Sequence, residues 1–337
     1  MDDLQRNCTP VPADISPRRL GDVQAQLLRW FERQARDLPW RSTRDPYKIL
    51  VSEVMLQQTQ VDRVVPYYYA FLEQFPNVEE LAQASTAAVI KAWAGLGYNR
   101  RAVNLQRAAQ AVVEQHGGRF PEDVAELVTL PGIGPYTAGA IACFAFERDV
   151  AFIDTNIRRV LYRLFIGGEH PAPTGAEKTV MQIARSLILP GDGWRWNQAL
   201  IEFGALQCTA RRPACVICPL QSDCAAFPTI QSSISTASRK RSDRSELPFQ
   251  ESNRFYRGKV VAALRNLPSA DEVSGIDLAA LGSQVKPAFS EADLPWLYQL
   301  VQGLAQDGLA QVAEERPGYD LGDSPETAAG LVRVKLP

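Results

Sequence analysis

The sequence predicts a mainly α-helical protein that ends in a small domain of different character. Three observations carry this. Apolar residues recur at three- and four-residue intervals from Val23 onward, almost no segment before residue 250 alternates as a strand does, and the helical body closes on four crowded cysteines, Cys208, Cys215, Cys218 and Cys224. A length of 337 residues exceeds what one core usually serves, so two or three domains are expected.

The first 21 residues, with Pro10, Pro12 and Pro17 and no apolar period, read as a loose leader. From Asp22 the series Val23, Leu27, Leu28, Trp30 and Phe31 has helical spacing and runs to about Arg36. Leu38-Pro39-Trp40-Arg41 breaks it, because the residue before a proline prefers extended geometry. A helix from about Pro46 carries Ile49, Leu50, Val54, Met55 and Leu56. Within it Glu53, between apolar Leu50 and Val54, lies near the buried edge, where a lowered dielectric raises a carboxyl pKa as a general acid requires. Most such glutamates are simply exposed. Further helices are expected at 62–75, 78–84, 86–94, 100–116 and 122–130, each ended by a Pro, Gly or Ser signal.

Leu130-Pro131-Gly132-Ile133-Gly134-Pro135 follows. Two glycines two residues apart permit a tight hairpin whose backbone N–H groups, with the next helix N-terminus, can face a phosphate. An ordinary interhelical turn fits the same residues. Asp154 precedes a helix with Ile157, Val160, Leu161 and Leu164 inward, so it is an N-cap by default. The helix dipole would fix such a carboxylate and keep it ionised, as stabilising a cation requires. Trp194–Gln207 is a last helix before the cysteines. Residues 229–250, rich in Ser with Arg239, Lys240, Arg241 and Arg244, read as a basic linker. Beyond it helices are expected at 255–267, 277–285 and 291–306, then strands at 309–312 and 331–334. Three helices and a hairpin suggest a small winged-helix domain over 251–337.

Composition narrows the function little. The chain is 46% apolar and 22% charged, and no run of about eighteen apolar residues suggests a membrane span. A net charge of -2 and a pI near 5.9 give no hint of nucleic acid. Residues 251–337 hold 8 basic and 12 acidic side chains. Phosphate contacts must therefore come from local clusters: Arg36, Arg41 and Arg44; Arg100 and Arg101; Arg158, Arg159 and Arg163; or Arg211 and Arg212. Each reads equally as a solvated face. Four cysteines so close together point to a metal or cluster rather than disulfides, and their number leaves tetrahedral zinc and iron-sulfur open.

The cysteine spacing, six, two and five residues between successive thiols, resembles the [4Fe-4S] loop of the endonuclease III superfamily of DNA glycosylases. With Leu38–Arg41, Ser52–Thr59, Gly95-Leu96-Gly97-Tyr98, the 130–139 hairpin and Asp154-Thr155-Asn156, roughly residues 24–228 resemble adenine DNA glycosylases acting opposite oxidised guanine. The resemblance implies a two-lobed helix-hairpin-helix fold: a cluster lobe from 22–44 and 151–228, and a six-helix barrel over 45–150. It implies that Glu53 protonates N7 of an extruded adenine and later handles water, that Asp154 stands by the sugar C1′, and that Tyr136 and Asn156 orient Asp154 and water. Leu56, Gln58 and Thr59 match residues that fill the emptied stack, Tyr98 a wedge, Gly132 and Gly134 the phosphate-binding hairpin, and Arg36, Trp40 and Arg41 the adenine pocket. A tyrosine at 136, where endonuclease III places a Schiff-base lysine, implies a monofunctional glycosylase.

The expectation is thus a base excision repair enzyme, a monomer with a [4Fe-4S] cluster, acting on duplex DNA with A:8-oxoG or A:G mispairs in the bacterial cytoplasm at the nucleoid. The chain departs from the resemblance in Asp154-Thr155-Asn156, where Asp-Gly-Asn is usual. The 251–337 segment also lacks histidine, and so the Phe-Ser-His element that helps read 8-oxoguanine. A mismatch thymine glycosylase and a non-catalytic iron-sulfur DNA-binding protein are the alternatives.

Overall fold

The computed structural model describes residues 16–167, 176–230, 249–314 and 332–337. Most of the expected leader and nearly all of the basic linker fall outside them. Helix α1 (Pro17–Gln34) starts five residues before the expected Asp22, because the Ser16 hydroxyl accepts from the Arg19 N–H and Pro17 occupies the first turn, where a missing N–H is harmless. A 3-10 turn at Pro39–Arg41 leads to α2 (Pro46–Leu56), α3 (Val61–Gln74), α4 (Val78–Gln83), α5 (Thr86–Ala92) and α6 (Arg100–His116). Asn77 and Ser85 cap α4 and α5 through their side chains. Helix α7 (Val124–Leu127) is shorter than the expected 122–130.

After the Pro131–Pro135 hairpin come α8 (Pro135–Phe146), α9 (Thr155–Phe165), α10 (Ala176–Ser186) and α11 (Gly193–Leu206). The sequence reading did not anticipate α10, although Val180, Ile183, Ala184 and Leu187, all buried, are spaced as a helix requires. The C-terminal part runs α12 (Asn253–Arg265), α13 (Ser269–Ser274), β1 (Ile276–Asp277), α14 (Leu278–Val285), α15 (Leu294–Gln306), β2 (Gln311–Glu314) and β3 (Val332–Lys335). Its antiparallel sheet has the order β1-β3-β2, with Ile276 opposite Val334 and Val312 opposite the same residue on the other side. Two residues are too few for β1 to show an alternation.

The chain divides into two compact units. The first takes the described residues of Met1–Ile49, Pro121–Thr129 and Ile133–Ser245, and the second those of Leu50–Phe120, Leu130–Gly132 and Glu246–Pro337. Within the first, α9 and α11 bury Ile157, Leu161, Trp196, Ala199 and Phe203. Within the second, the C-terminal helices share a core with the preceding body: Val260, Leu264, Leu278, Leu297, Val301 and Val334 pack with Ile90 of α5 and Val103 of α6. The Ala87 N–H donates to the Pro337 carbonyl at 3.0 Å, and Arg100 pairs with Asp307 at 3.2 Å. Among the described residues, no helix is long and apolar enough to cross a membrane.

Candidate nucleic-acid active site

In the first unit Asp154 is the N-cap of α9. Its Oδ1 accepts from the Ile157 N–H at 2.6 Å and its Oδ2 from Asn156 Nδ2 at 2.8 Å, so both oxygens are held. Burial pushes its carboxyl above the ordinary carboxylate value, against the hydrogen bonds from Ile157 and Asn156 and the charge of Arg159, which pull it down. The expectation that the helix dipole keeps it ionised thus meets an opposing desolvation. Arg159 belongs to a cluster that the sequence offers as phosphate ligands or a solvated face, yet it is buried and donates to Asn156 Oδ1 at 2.7 Å, to the Gly204 carbonyl at 2.6 Å and to the Cys208 carbonyl at 2.7 Å.

Gly204 and Gly139 make this packing possible. A Cβ on Gly204 would lie 2.6 Å from the Asn156 Cβ, and one on Gly139 would lie 2.6 Å from the Phe152 Cβ. Tyr136, in the first turn of α8, sets its ring edge-on to Phe152 at 5.6 Å between centroids, two residues before Asp154.

Arg36 and Arg41 converge on Glu202 rather than on an open pocket. Arg36 donates to both Glu202 oxygens at 2.8 Å, and Arg41 reaches Glu202 Oε2 at 2.8 Å, Gln198 Oε1 at 2.9 Å and the Arg36 carbonyl at 2.9 Å. Burial alone would raise the Glu202 carboxyl, but the hydrogen bonds from Arg36 and Arg41 outweigh it and hold the group at about 2. Trp40 is only 6% exposed. Arg44, also expected in a phosphate cluster, pairs with Glu147 at 2.8 Å.

The four cysteines of the loop ring a cavity of about 30 Å³, closed by Val160, Leu164, Phe203, Leu220 and Ile230. Among the described residues no disulfide joins them, and no three such groups converge as a single ion requires. Desolvation raises the Cys218 thiol to about 12 and also lifts Cys215 and Cys224, so thiolates here call for strong positive charge beside them. Arg163, 2% exposed, supplies part of it, with Nη1 3.5 Å from the Cys208 Sγ and 2.8 Å from the Thr209 carbonyl. It too was expected at the surface.

In the second unit Glu53 is buried at 6% exposure, and its helical neighbours Leu50, Val51, Ser52 and Met55 are fully buried. The expected position of Glu53 near a buried edge thus meets a segment in which every residue from Leu50 to Met55 is buried. Leu56 ends α2, and Gln58 and Tyr98 then adopt left-handed backbone, φ 57° and 47°, which strains a non-glycine residue by about 1–3 kcal/mol. Gly95 and Gly97, at φ 95° and 73°, turn the chain into Tyr98.

Arg101 ties the two loops together. Its Nη1 donates to the carbonyls of Val54 at 2.7 Å, Met55 at 3.0 Å and Gln57 at 2.7 Å. Its Nη2 reaches Thr59 Oγ1 at 3.3 Å and the Leu96 and Gly97 carbonyls at 3.2 Å. Burial lowers its pKa to about 10. It is therefore a staple, not the phosphate ligand the sequence suggested. At the hairpin, Gly132 is left-handed at φ 75° and a Cβ there would meet the Asn104 Cβ at 2.6 Å. Gly134 sits at φ -90° as the N-cap of α8, so only the first glycine is required by backbone conformation.

Comparison with known proteins places these residues in context. Residues 51–186 match the model of the HhH-GPD superfamily of base excision DNA repair proteins, and residues 208–224 match the iron-sulfur binding domain of endonuclease III. The adenine DNA glycosylase of Mycolicibacterium smegmatis is 39% identical over 300 residues, which cover 86% of this chain and 96% of that protein. The adenine DNA glycosylase of Mus musculus is 42% identical over 235 residues, 65% of this chain and 46% of that protein. This chain thus spans less than half of the mouse relative. Among solved structures, a thermostable thymine-DNA glycosylase superposes with a TM-score of 0.59 at 30% identity, over 63% of this chain and 97% of that one. A trapped endonuclease III–DNA intermediate has a TM-score of 0.54 at 24% identity, over 64% and 98%, and shares the fold.

Proposed function

Since the chain belongs to the HhH-GPD superfamily of base excision DNA repair proteins, and within it to the adenine DNA glycosylases, we propose that it hydrolyses the N-glycosidic bond of adenine mispaired with 8-oxoguanine or guanine. The products are free adenine and an abasic site. The observation that carries this is the fixed carboxylate of Asp154, with both oxygens held by Ile157 and Asn156. It is an anion whose position does not have to reorganise as positive charge develops on the deoxyribose.

Adenine is a poor leaving group, so one residue must protonate it and another must stabilise the oxocarbenium-like sugar. Glu53, withdrawn from bulk water, donates its proton to N7 as the C1′–N9 bond breaks. It then takes a proton from the water that adds to C1′. Asp154 stabilises the cationic sugar between those events, and Asn156 and Tyr136 orient it and the water. Tyr136 has no amine for a Schiff base, so the strand is left uncut.

Extruding the base leaves a gap. Gln58, with Leu56 and Thr59, occupies it, and Tyr98 wedges beside it. Gly132 and Gly134 offer backbone N–H groups to a phosphate. Trp40 forms a wall of the adenine pocket, which Arg36 and Arg41 shape through Glu202. Cys208, Cys215, Cys218 and Cys224 hold the [4Fe-4S] cluster, which supplies structural cross-linking of the loop and positive charge to its thiolates. The α12–β1–α14–α15–β2–β3 order supports a winged-helix-like reading of residues 251–337. The protein acts as a monomer on duplex DNA at the bacterial nucleoid.

The likeness to a thymine-DNA glycosylase favours a second reading, excision of thymine from T:G. Single-turnover base release from A:8-oxoG, A:G, A:C and T:G duplexes separates the two. Adenine release fastest from A:8-oxoG is expected, and release of thymine alone would replace the first reading with the second.

A further inference from the structure

A cleft of about 880 Å³ lies within the second unit, lined by the Gly95–Asn104 segment and α12 together with Leu304, Asp307 and Leu309. Its lining is charged in one sense. Arg100, Arg101, Arg254, Arg257, Lys259 and Arg265 face a single acid, Asp307. Although residues 251–337 are acidic as a whole, α12 carries four basic residues and no acidic one.

The charges divide into committed and uncommitted. Asp307 pairs with Arg100 and Arg257, and Arg101 staples the loops. Among the described residues Arg254, Lys259 and Arg265 have no carboxylate partner. Arg254 lies over the Tyr98 ring at 4.4 Å and donates to its hydroxyl, while Lys259 donates to the Val285 carbonyl at 3.1 Å. Three of the buried polar atoms left without a hydrogen-bond partner belong to residues that line this cleft: Arg265 Nη1, Arg101 Nε and Asn99 Oδ1. Two of the three are cationic N–H donors, which are costly to leave unpaired away from water. Tyr98 and Phe249, 44% and 59% exposed, flank the basic wall with aromatic faces of the kind that stack on bases.

We propose that this cleft binds the phosphodiester backbone of duplex DNA beside the Tyr98 wedge, so that α12 extends the DNA footprint beyond the helix-hairpin-helix body. The proposal rests on the reading of the chain as a DNA glycosylase, but it concerns binding and not chemistry. The exposed Arg254 and the half-buried Lys259 offer cationic donors of the kind that phosphate oxygens take.

The test measures the affinity of the full chain for a 30-base-pair duplex holding a non-hydrolysable adenosine analogue opposite 8-oxoguanine, as KCl is varied. Wild type is compared with Arg254→Ala, Lys259→Ala and Lys259→Glu, with Lys335→Ala on β3 as a control outside the cleft. Each cleft substitution to alanine should weaken binding several-fold and reduce the salt slope by about 1. Lys259→Glu should weaken it further, and Lys335→Ala should change neither quantity. Single-turnover base release by Lys335→Ala at saturating enzyme should stay within about twofold of wild type. Unchanged affinity and slope in all cleft variants would overturn the proposal. Weakened affinity with an unchanged slope would also overturn it, because the substitution would then act through local structure. Competition by inorganic phosphate against duplex binding by wild type, at concentrations that leave the duplex affinity of Lys259→Glu unaffected, would assign the cleft to a small anion instead. A wild type that releases no base from any duplex, yet shows the expected slopes, would sink the glycosylase reading and leave this site standing.

Discussion

Arg159 Nη2 donates to Asn156 Oδ1 at 2.7 Å, which turns the Asn156 amide nitrogen onto Asp154. The same guanidinium holds the carbonyl of Cys208 through Nε, so one buried side chain carries the orientation of Asp154 and the entry to the cysteine loop. Lysine has one nitrogen on a flexible stem and cannot satisfy three acceptors in this fork. Arg159→Lys should therefore lower the single-turnover rate by at least about tenfold while duplex affinity changes little. Asn156→Ala should do the same and, by removing a hydrogen bond that lowers the Asp154 pKa, move the acid limb of the pH–rate profile to higher pH. An unmoved limb would detach Asp154 from the rate.

Asp154 also makes a stability prediction. Its folded pKa is raised by burial, so the stabilisation from holding it protonated is present below the ordinary value and lost as pH rises through the folded one. Asp154→Asn should melt no lower than wild type at pH 7. Its advantage should shrink as the solution is acidified from above the raised value down to the ordinary carboxylate range.

Glu202 behaves in the opposite sense. Its folded value of about 2 lies below the ordinary 4.5, so its contribution is full above 4.5 and lost as pH falls toward 2. Glu202→Gln leaves Arg36 and Arg41 without their anion and should cost about 3–5 kcal/mol in urea unfolding at neutral pH. That deficit should fade in acid. A deficit independent of pH would mean that packing, not charge, is lost.

Gly204→Ala places a Cβ 2.6 Å from the Asn156 Cβ and 3.1 Å from its Cα. Helix α11 or the start of α9 must shift, so single-turnover base release should fall steeply with duplex affinity little changed. A variant with normal rate would show that Asn156 tolerates the displacement.

Arg101→Lys should loosen the Gln58 and Tyr98 loops together. Fluorescence of 2-aminopurine beside the target adenine should report less base extrusion, at a duplex affinity reduced less than about fivefold. Equal loss of affinity and extrusion would instead make Arg101 a plain DNA ligand.

Much of this arrangement was legible in the sequence, and the part that was not has a physical reason. Asp154 as an N-cap and the helices around it follow from local preferences, which act within a few residues. The helical body and the cysteine loop follow from spacing. The destinations of the arginines do not: Arg41 meets Glu202 across 161 residues, and Arg159 meets Cys208 across 49. Clustered arginines look alike in sequence whether they face solvent or a ring of carbonyls, and only the packing of α9 on α11 decides. The cleft beside Tyr98 was hidden for a related reason, since the net acidity of residues 251–337 masks one wholly basic helix.

The most direct measurement of the central claim is single-turnover release of adenine from an A:8-oxoG duplex by wild type, Glu53→Gln and Asp154→Asn, each first checked for its iron content and duplex affinity. Both variants should bind as wild type does and release adenine more slowly by about 10²-fold or more. Rates equal to wild type in both would contradict the assignment of the proton donor and of the anion that stabilises the sugar.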